Sequence, residues 1–309
     1  MATEKQFKLG IVGTGVMGAN HAKIAGNLTV AELTGIYDVD EQRAKEIAEL
    51  YETNSYNDLD KLCNDCDGII IAAPTFLHAE IGSRILNNNK HLLIEKPLAL
   101  NEDDARMLID LADKNDLTLA VGHIEQYNAT FMTLREIIKG DEIFDGKFER
   151  LAMQAGRDKS ATIVFDLMIH DLELALSLGG KLKNITAAGH KMKHDFIDHA
   201  TAVLIFENGI TFSLTASAVS QMRTRTVTLF GKKHTYIADL GNFTITVHTK
   251  DGEAKIINVD RSDALTKEHE DFIDSAKNNT KPAANNLNAL NAIVCAKKIE
   301  EIINGNGVN

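Results

Sequence analysis

The sequence predicts an α/β protein whose first domain holds a doubly wound parallel sheet and whose second is an α+β domain with an open, largely antiparallel sheet. Two observations lead to this fold class. Up to about residue 122, short apolar strands alternate with helical stretches, as parallel sheets with right-handed crossovers require. Strands then follow one another with only turns between them. We expect domains at 1–122 and 123–309, the last helix, about 287–303, packing back on the first domain.

Composition excludes several classes of protein. With 309 residues the chain is long enough for two domains, and its net charge of −11 argues against nucleic acid and against anionic membrane surfaces. The longest apolar run, at 69–73, is too short to cross a membrane, and the polar residues 1–6 do not resemble a signal peptide. Three cysteines do not make a disulfide framework. We therefore expect a cytoplasmic protein.

The first elements surround a glycine-rich turn. An apolar strand at 7–13 runs into Gly13-Thr14-Gly15-Val16-Met17-Gly18, a helix at about 19–27 follows, and a second strand at 30–37 ends at Asp38. Strand, G-x-G-x-x-G, helix, strand and acid in this order and spacing are a specific signal for a dinucleotide-binding Rossmann fold. The alternative interpretation is a turn that is glycine-rich for chain geometry alone.

Each position of this turn has a physical task in binding a dinucleotide. Gly13 permits the tight turn, Gly15 lets the backbone approach the pyrophosphate, and Gly18 lets helix and strand pack closely. The helix N-terminus offers N–H groups and a positive dipole end to the phosphates. Asp38 would accept hydrogen bonds from the ribose hydroxyls and repel a 2′-phosphate, and no Arg or Lys occurs between it and Arg43. We therefore expect NAD rather than NADP.

The alternation continues to the end of the first domain. We predict helices at 41–52, 59–64 and 101–115, a further helix that ends at 86, and strands at 67–73, 91–94 and 117–121. Glu95-Lys96-Pro97 follows the strand at 91–94, at the edge where a doubly wound sheet binds its ligands. Pro97 favours an extended conformation at Lys96. A solvated charged pair is the alternative interpretation.

The second domain begins with a helix and ends with two. We predict helices at 129–139, 163–178, 265–278 and 287–303, and strands at 146–154, 185–191, 200–207, 210–218, 226–230, 235–238, 243–249 and 254–259. Asn208-Gly209 is a strong two-residue hairpin signal. Gly179-Gly180 marks the end of the second helix.

Asp166 and His170 form a second candidate site at the start of the helix at 163–178. Residues i and i+4 share a helix face, so the carboxylate can orient the imidazole, and an oriented histidine is a good general base near neutral pH. The alternative is a capping aspartate beside a packed histidine. A metal site is not favoured. His190, His194 and His199 have spacings that do not favour one face, and the Cys63-x-x-Cys66 pair reads as a helix-to-strand junction rather than a zinc or redox pair.

Taken together, the glycine turn with its acid, Glu95-Lys96-Pro97 and the D-x-x-x-H of Asp166 and His170 resemble the Gfo/Idh/MocA oxidoreductases. The resemblance covers nearly the whole chain. It implies that Lys96 positions the substrate and stabilises an alkoxide, that His170 is the acid/base, and that Asp166 is their polar partner. Positions lining the nicotinamide ribose would be Pro74, Thr75, His78 and Glu95, and Ala73 and Lys96 are further expected cofactor-binding residues. We expect Tyr127 and Arg157 to join Lys96, Asp166 and His170 in binding substrate.

A narrower resemblance, to the branch that contains UDP-N-acetylglucosamine 3-dehydrogenases, is carried by the stretches 122–128 and 166–173. That branch usually has Arg where Gln126 stands and Pro where Ala129 stands. These two departures concern the substrate rather than the fold.

The expected activity is NAD-dependent hydride transfer between nicotinamide and a secondary alcohol of a sugar, nucleotide sugar or cyclitol. Two alternatives stay open: a regulator that senses NAD without turnover, and a reductase of another small carbonyl or imine. The strand at 210–218 alternates apolar side chains with small polar ones, and such a polar face can pack against its own copy. We expect a homodimer or homotetramer built through this sheet.

Overall fold

A computed structural model describes residues 6–152 and 162–305 of the chain. The chain forms two compact units. The first comprises Met1–Ile124 and Asp263–Leu290, and the second comprises Glu125–Ser262 and Asn291–Asn309.

The first unit alternates strands and helices, as the sequence predicts. Its strands are β1 (Phe7–Val12), β2 (Ala31–Tyr37), β3 (Asn54–Tyr56), β4 (Gly68–Ile71), β5 (His91–Glu95) and β6 (Leu119–Gly122). Its helices are α1 (Val16–Ala25), α2 (Glu41–Leu50), α3 (Leu59–Asp65), α4 (His78–Asn87), α5 (Glu102–Lys114) and, from the later segment, α8 (Ala264–Asn278).

These six strands form one parallel sheet in the order β3-β2-β1-β4-β5-β6. The strand order reverses between β1 and β4, and doubly wound sheets bind their ligands at the carboxyl ends of the strands beside such a reversal. β4 consists entirely of buried residues, as expected of a strand covered by helices on both faces. The predicted Rossmann sheet is confirmed.

Helix α8 lies in the first unit, whereas the sequence-based boundary assigned it to the second domain. The reason is its apolar face. Phe272 is fully buried and packs edge-on against Phe7 at a centroid distance of 6.2 Å, and Ile273 joins the same core. This contact between the two ends of the first unit has no local sequence signal.

The second unit is built on a long sheet. Its strands are β7 (Ile143–Leu151), β8 (Leu182–His190), β9 (His199–Phe206), β10 (Thr211–Ser217), β11 (Thr224–Gly231), β12 (Thr235–Asp239), β13 (Thr244–His248) and β14 (Ala254–Asn258). Its helices are α6 (Ala129–Ile137) and α7 (Ile169–Gly179), with α9 (Asn286–Gly305) running from the first unit into the second.

The eight strands are ordered β14-β13-β12-β11-β7-β10-β9-β8, and all neighbours are antiparallel except β7 and β10. One face of the sheet is buried against helices. Phe212, Leu214 and Ala216 of β10 are fully buried there. The predicted open, largely antiparallel sheet is confirmed.

The last helix contributes to the core of the second unit. Ala292, Ile299 and Ile303 of α9 are buried in that core. Its apolar side chains recur at helical spacing, which predicts the helix but not the sheet that it covers.

Two local features also differ from the sequence-based elements. α4 begins at His78, directly after a 3₁₀ turn at Thr75–Leu77 that the sequence did not indicate. Val164–Met168 forms a π-helical turn ahead of α7. Among the described residues, no helix is both long enough and apolar enough to span a bilayer.

Candidate active site

The glycine turn between β1 and α1 is shaped by close backbone contacts. Gly13 has φ +96°, and a Cβ there would lie 2.7 Å from the Ala72 carbonyl oxygen. A Cβ at Gly18 would overlap the Gly13 carbonyl oxygen, so the helix can begin this close to the turn only with glycine. A Cβ at Gly15, in contrast, would meet no described atom within 4 Å. The protein itself therefore does not require glycine at position 15, but a ligand lying against the backbone would.

The N-terminus of α1 also lacks the cap that most other helices carry. Helices α2, α3, α5, α6 and α8 each begin with a side-chain cap, from Asp40, Asp58, Asn101, Asn128 and Asp263 respectively. Such a cap is worth about 1 kcal/mol because it satisfies an otherwise orphaned N–H. The N-cap residue of α1 is Gly15, which offers no side-chain cap, and the first turn of α1 contains no acidic residue. Its N–H groups and dipole are thus suited to an anion.

Asp38 lies at the carboxyl end of β2 and is held by the glycine turn. The backbone N–H and the Oγ of Thr14 both donate to Oδ2 at 2.6 Å, and the N–H of Asp40 donates to Oδ1 at 2.9 Å. Partial burial would raise the pKa of Asp38, but these hydrogen bonds and the nearby Arg43 outweigh it and lower that pKa. Asp38 is therefore an oriented carboxylate, and Thr14 is the residue that orients it.

Arg43 is closer to this carboxylate than the sequence indicates. Its Nη2 donates to the Thr14 carbonyl oxygen at 3.0 Å from the first turn of α2. A guanidinium thus lies beside the proposed ribose position, together with the carboxylate.

Three large apolar side chains are exposed at this edge of the sheet. Val16 opens α1 with 82% exposure, Val39 follows Asp38 with 87%, and Phe76 follows β4 with 69%. Each stands within three residues of a position predicted to bind cofactor. Their exposure fits a surface that a planar or apolar part of a ligand covers.

His78 lies between the loops that follow β4 and β5. It is buried, with Nδ1 2.9 Å from the Pro97 carbonyl oxygen and Nε2 2.9 Å from the Ala73 carbonyl oxygen. Burial lowers the pKa of His78, although both carbonyls act in the opposite direction. The imidazole joins the loop after β4, which includes Pro74 and Thr75, to the loop after β5. The buried imidazole therefore holds these two loops together through its contacts with their backbone carbonyls.

Glu95 is the last residue of β5 and Lys96 follows it, and both are half-buried. The Oε2 of Glu95 accepts the backbone N–H of Lys96 at 3.1 Å, and its Oε1 lies 3.1 Å from Nε2 of His21. The peptide bond between Lys96 and Pro97 is cis. Gly122 makes room for this carboxylate, since a Cβ there would lie 3.0 Å from Oε2.

Asp166 and His170 lie in the second unit, on the π-helical turn and in the first turn of α7 respectively, and both are half-buried. Such single π turns occur frequently at functional sites. The Asp166 N–H donates to the Thr162 carbonyl oxygen at 2.9 Å. Of the two further residues expected to bind substrate, Tyr127 is only 3% exposed, and Arg157 lies outside the described residues.

A buried ion network includes Asp171, the residue that follows His170 in the sequence. Arg150 of β7 donates from Nε and Nη2 to both oxygens of Asp171 at 2.9 Å, and from Nη1 to Oε1 of Glu125 at 2.8 Å. Arg225 lies 3.2 Å from the same oxygen of Glu125. Arg150, Asp171 and Glu125 are each less than 8% exposed at the side chain. The network ties α7 to the central strand β7.

Gln126 is part of a second buried group. Its Nε2 donates to Oε2 of Glu173 at 2.7 Å, and its Oε1 accepts from Nη1 of Arg135 at 3.2 Å. Burial raises the pKa of Glu173 to about 8. The resembled branch usually has Arg at this position. Gln126 therefore places a neutral amide, rather than a cation, against the buried carboxyl group of Glu173.

The remaining sequence candidates are structural. Cys63 and Cys66 are buried free thiols at the junction of α3 and β4, and burial raises their pKa values to about 11 and about 12. Asp198 is fully buried and accepts N–H groups of Met192, Lys193 and His194, which fixes the turn between β8 and β9. Across the described ranges, no group of three or more His, Cys, Asp or Glu is arranged to hold a metal ion.

Two family sequence models match the chain. One describes an oxidoreductase family with an NAD-binding Rossmann fold and matches residues 7–123, and the other describes the GFO/IDH/MocA C-terminal domain and matches residues 121–237. The chain belongs to the Gfo/Idh/MocA family. The expected family is thereby confirmed, as is an NAD-binding Rossmann fold for the first unit.

Relatives within the Gfo/Idh/MocA family act on sugars and cyclitols. A UDP-N-acetylglucosamine 3-dehydrogenase from Acidithiobacillus ferrooxidans is 29% identical over 279 residues, which cover 87% of this chain and 88% of that one. A solved structure of that enzyme, GnnA, superposes with a TM-score of 0.92 at 27% identity, covering 98% of this chain and 99% of the other. The scyllo-inositol dehydrogenase of Lactobacillus casei, solved with NAD(H) and scyllo-inositol, shares the fold at a TM-score of 0.83 and 19% identity, covering 98% of each chain.

Several residues that build the site carried no sequence signal. His21 and His269 are 248 residues apart yet hydrogen-bonded, and Arg150 is 21 residues from Asp171. Of these groups, Glu125 and Asp171 belonged to stretches that the branch resemblance singled out, but neither stretch indicated that they meet at Arg150. Burial of a charged residue was the one property that would have found these groups, and a sequence does not show it.

Proposed function

We propose that this Gfo/Idh/MocA protein is an NAD-dependent dehydrogenase that oxidises a secondary hydroxyl of a nucleotide sugar resembling UDP-N-acetylglucosamine. The proposal that NAD is the cofactor rests on the groups at the carboxyl ends of the strands of the first sheet. An uncapped helix N-terminus at Gly15, an oriented carboxylate at Asp38 and the Lys96 ammonium follow β1, β2 and β5 there. That order suits pyrophosphate, adenosine ribose and nicotinamide.

The residues present fit NAD without further groups. Pyrophosphate would lie on the N–H groups of α1 at Gly15, where no described side chain competes for the space. Each carboxylate oxygen of Asp38 can accept more than one hydrogen bond, so ribose hydroxyls can bind beside Thr14 and Asp40. When bound, NAD⁺ supplies a nicotinamide C4 that accepts a hydride.

His170 acts in this proposal as the general base. It takes the proton of the substrate hydroxyl while the C–H of the same carbon gives up its hydride, so a carbonyl forms and one proton is released. Lys96 stabilises the developing negative charge on the oxygen, a role that is electrostatic and strongest in the transition state. Asp166 and the Arg150–Asp171 pair hold the first turn of α7 in place for that step.

The choice of a nucleotide sugar rests on the relatives. The UDP-N-acetylglucosamine 3-dehydrogenase matches nearly the whole length of both chains. We propose further that the protein is cytoplasmic and assembles as a dimer or tetramer through the open face of the second sheet. Thr201, Ser213 and Thr215 give this face small polar side chains of intermediate exposure, and the hydroxyls of Thr201 and Thr215 lie 3.2 Å apart across the strands.

A substrate panel tests the proposal. Purified protein is supplied with NAD⁺ and, separately, UDP-N-acetylglucosamine, myo-inositol, glucose 6-phosphate and glucose, and NADH absorbance is followed. We expect turnover with the UDP-sugar. Binding of NAD without turnover of any of these alcohols would favour the sensor, and oxidation of NADH by a small carbonyl or imine alone would favour the reductase.

A further inference from the structure

Three side chains from three elements of the first unit form a continuous hydrogen-bonded row behind Lys96. Oε1 of Glu95 lies 3.1 Å from Nε2 of His21 on α1, and Nδ1 of His21 lies 2.8 Å from Nε2 of His269 on α8. Both imidazoles are completely buried, and the Glu95 side chain is 13% exposed. The two rings are nearly parallel, at 11°.

The positions of the protons in this row follow from the charge of Glu95. Its Oε2 already accepts the backbone N–H of Lys96, and an ionised carboxylate can only accept. Nε2 of His21 must then carry a proton. Its Nδ1 accepts from Nε2 of His269, because the opposite direction would leave a buried N–H on Nδ1 of His269 with no partner among the described residues. The second ring is left with a lone pair on Nδ1, and that atom has no hydrogen-bond partner among the described residues. One carboxylate charge therefore determines both tautomers.

Burial keeps two titratable groups of α8, His269 and Glu268, neutral. Burial and the neighbouring His21 lower the pKa of His269 well below its usual value. Glu268, beside it on α8, is fully buried without a hydrogen-bond partner among the described residues, and burial together with the charges of Glu95 and Asp271 raises its pKa well above the usual value. Glu95 thus holds the single negative charge of this row.

We propose that His21 and His269 are positioning residues for the Glu95–Lys96 pair: His269 fixes the tautomer of His21, and the N–H on Nε2 of His21 turns the Glu95 carboxylate so that it receives the Lys96 N–H. Neither imidazole touches the reacting atoms. They act through Glu95, whose Oε2 accepts the backbone N–H of Lys96 and so sets the backbone direction of that residue. The inference rests on the proposed function only in assigning Lys96 to catalysis; the tautomers themselves do not depend on it.

Histidine tautomers can be measured without any turnover. In Glu95→Gln, the amide oxygen would accept from the Lys96 N–H, and the amide nitrogen would donate to Nε2 of His21. Both rings would then have to carry their protons on Nδ1 instead of Nε2. Nitrogen-15 NMR of histidine-labelled protein distinguishes the two tautomers, with His21 and His269 assigned by the signals that disappear in His21→Asn and His269→Gln.

We expect both rings to be protonated on Nε2 in the wild type and on Nδ1 in Glu95→Gln. Protonation of either ring on Nδ1 in the wild type, or tautomers that do not respond to Glu95→Gln, would overturn the proposal even in an active enzyme. If no alcohol is oxidised, the proposed function fails, and these spectra still decide whether the row exists as described.

Turnover then tests the positioning role with a matched pair of variants. His269→Gln keeps an N–H near the place of Nε2, whereas His269→Leu offers no donor to His21. We expect kcat to fall about 10- to 100-fold in His269→Leu, the loss typical of a displaced catalytic group, with NAD affinity within about twofold of wild type, and to recover in His269→Gln. A kcat of His269→Leu equal to that of the wild type would contradict the proposed positioning role of the N–H on Nε2 of His269. So would equal losses of kcat in folded His269→Leu and His269→Gln.

Discussion

Thr14 donates both its backbone N–H and its Oγ to one oxygen of Asp38, each at 2.6 Å. The glycine turn and the acid after β2 are thus a single hydrogen-bonded unit. This unit explains why the carboxylate is ionised and oriented, since the hydrogen bonds lower the pKa of Asp38 against the effect of its partial burial. The preference for NAD over NADP should follow from this oriented negative charge.

We expect kcat/KM to favour NAD over NADP by at least about tenfold, or ~1.4 kcal/mol, because the Asp38 charge repels a 2′-phosphate. Asp38→Ser with Val39→Arg should relax this preference. Arg43 is the basic group beside this position, so Arg43→Ala should lower any residual NADP turnover more than NAD turnover. Steady-state kinetics with both cofactors are the measurement, and equal wild-type kcat/KM values would remove Asp38 from the ribose site.

Glu173 should make stability depend on pH. Its pKa is about 8 in the folded protein because of burial, above the ordinary value of 4.5. A raised folded-state pKa contributes stability that is complete below about pH 4.5 and is lost as pH rises through 8. Over this window we expect the free energy of unfolding to fall by roughly 3–5 kcal/mol from this group.

Glu173→Gln should remove that part of the pH dependence, and so should Gln126→Arg, which supplies a cation to the carboxylate. Glu136→Gln is the control, because Glu136 is an exposed glutamate paired with Lys139. Chemical unfolding from pH 5 to pH 8.5 gives the curves. A wild-type profile parallel to that of Glu173→Gln would show that Glu173 ionises in the folded protein as it does in the unfolded chain.

Arg150 should be essential for the stability of the second unit. Arg150→Met leaves Asp171 and Glu125 buried, with Arg225 as the remaining cation of the network among the described residues. Removing one partner of a buried ion pair typically costs about 3–5 kcal/mol. Arg106→Met breaks an exposed pair with Glu102 and should cost less than about 1 kcal/mol. Urea unfolding compares the two, and similar small losses would mean that the network contributes little.

The open face of the second sheet should mediate assembly. Thr215→Lys places a charge in the middle of this face, next to Thr201, and should shift the protein toward monomer. Thr280→Lys makes the same chemical change at an exposed position of the first unit and should not. Light scattering at micromolar concentration measures the mass. A monomeric wild type would exclude assembly through this face.

Much of the fold was readable from local patterns. Alternation of apolar strands with helices predicts the first sheet, and the spacing from Gly13 to Asp38 predicts the turn and carboxylate that the structure joins through Thr14. The short edge strand β3 was missed because three residues, two of them exposed, carry almost no hydrophobic signal.

The supporting residues could not be predicted, for a physical reason. Partners such as His21 and His269, or Arg150 and Asp171, meet only because whole elements pack, and each is an ordinary polar residue in its own stretch of sequence. The same holds for α8, whose amphipathic pattern indicates a buried face but not that Phe272 packs against Phe7. Sequence reasoning therefore finds the groups proposed to do chemistry more readily than those that hold them.

The most direct test of the proposed dehydrogenase compares turnover with NAD binding in His170→Ala and Lys96→Ala, with His248→Ala on β13 as the control histidine variant. NAD affinity is measured by titration, and turnover of the UDP-sugar by NADH formation. We expect His170→Ala to lose about 10²–10⁴-fold in kcat, as general-base removal does, and Lys96→Ala to lose turnover more than NAD affinity, while His248→Ala stays near wild type. Near-wild-type turnover in folded His170→Ala would contradict the assignment of His170 as the base, and with it the mechanism proposed for this protein.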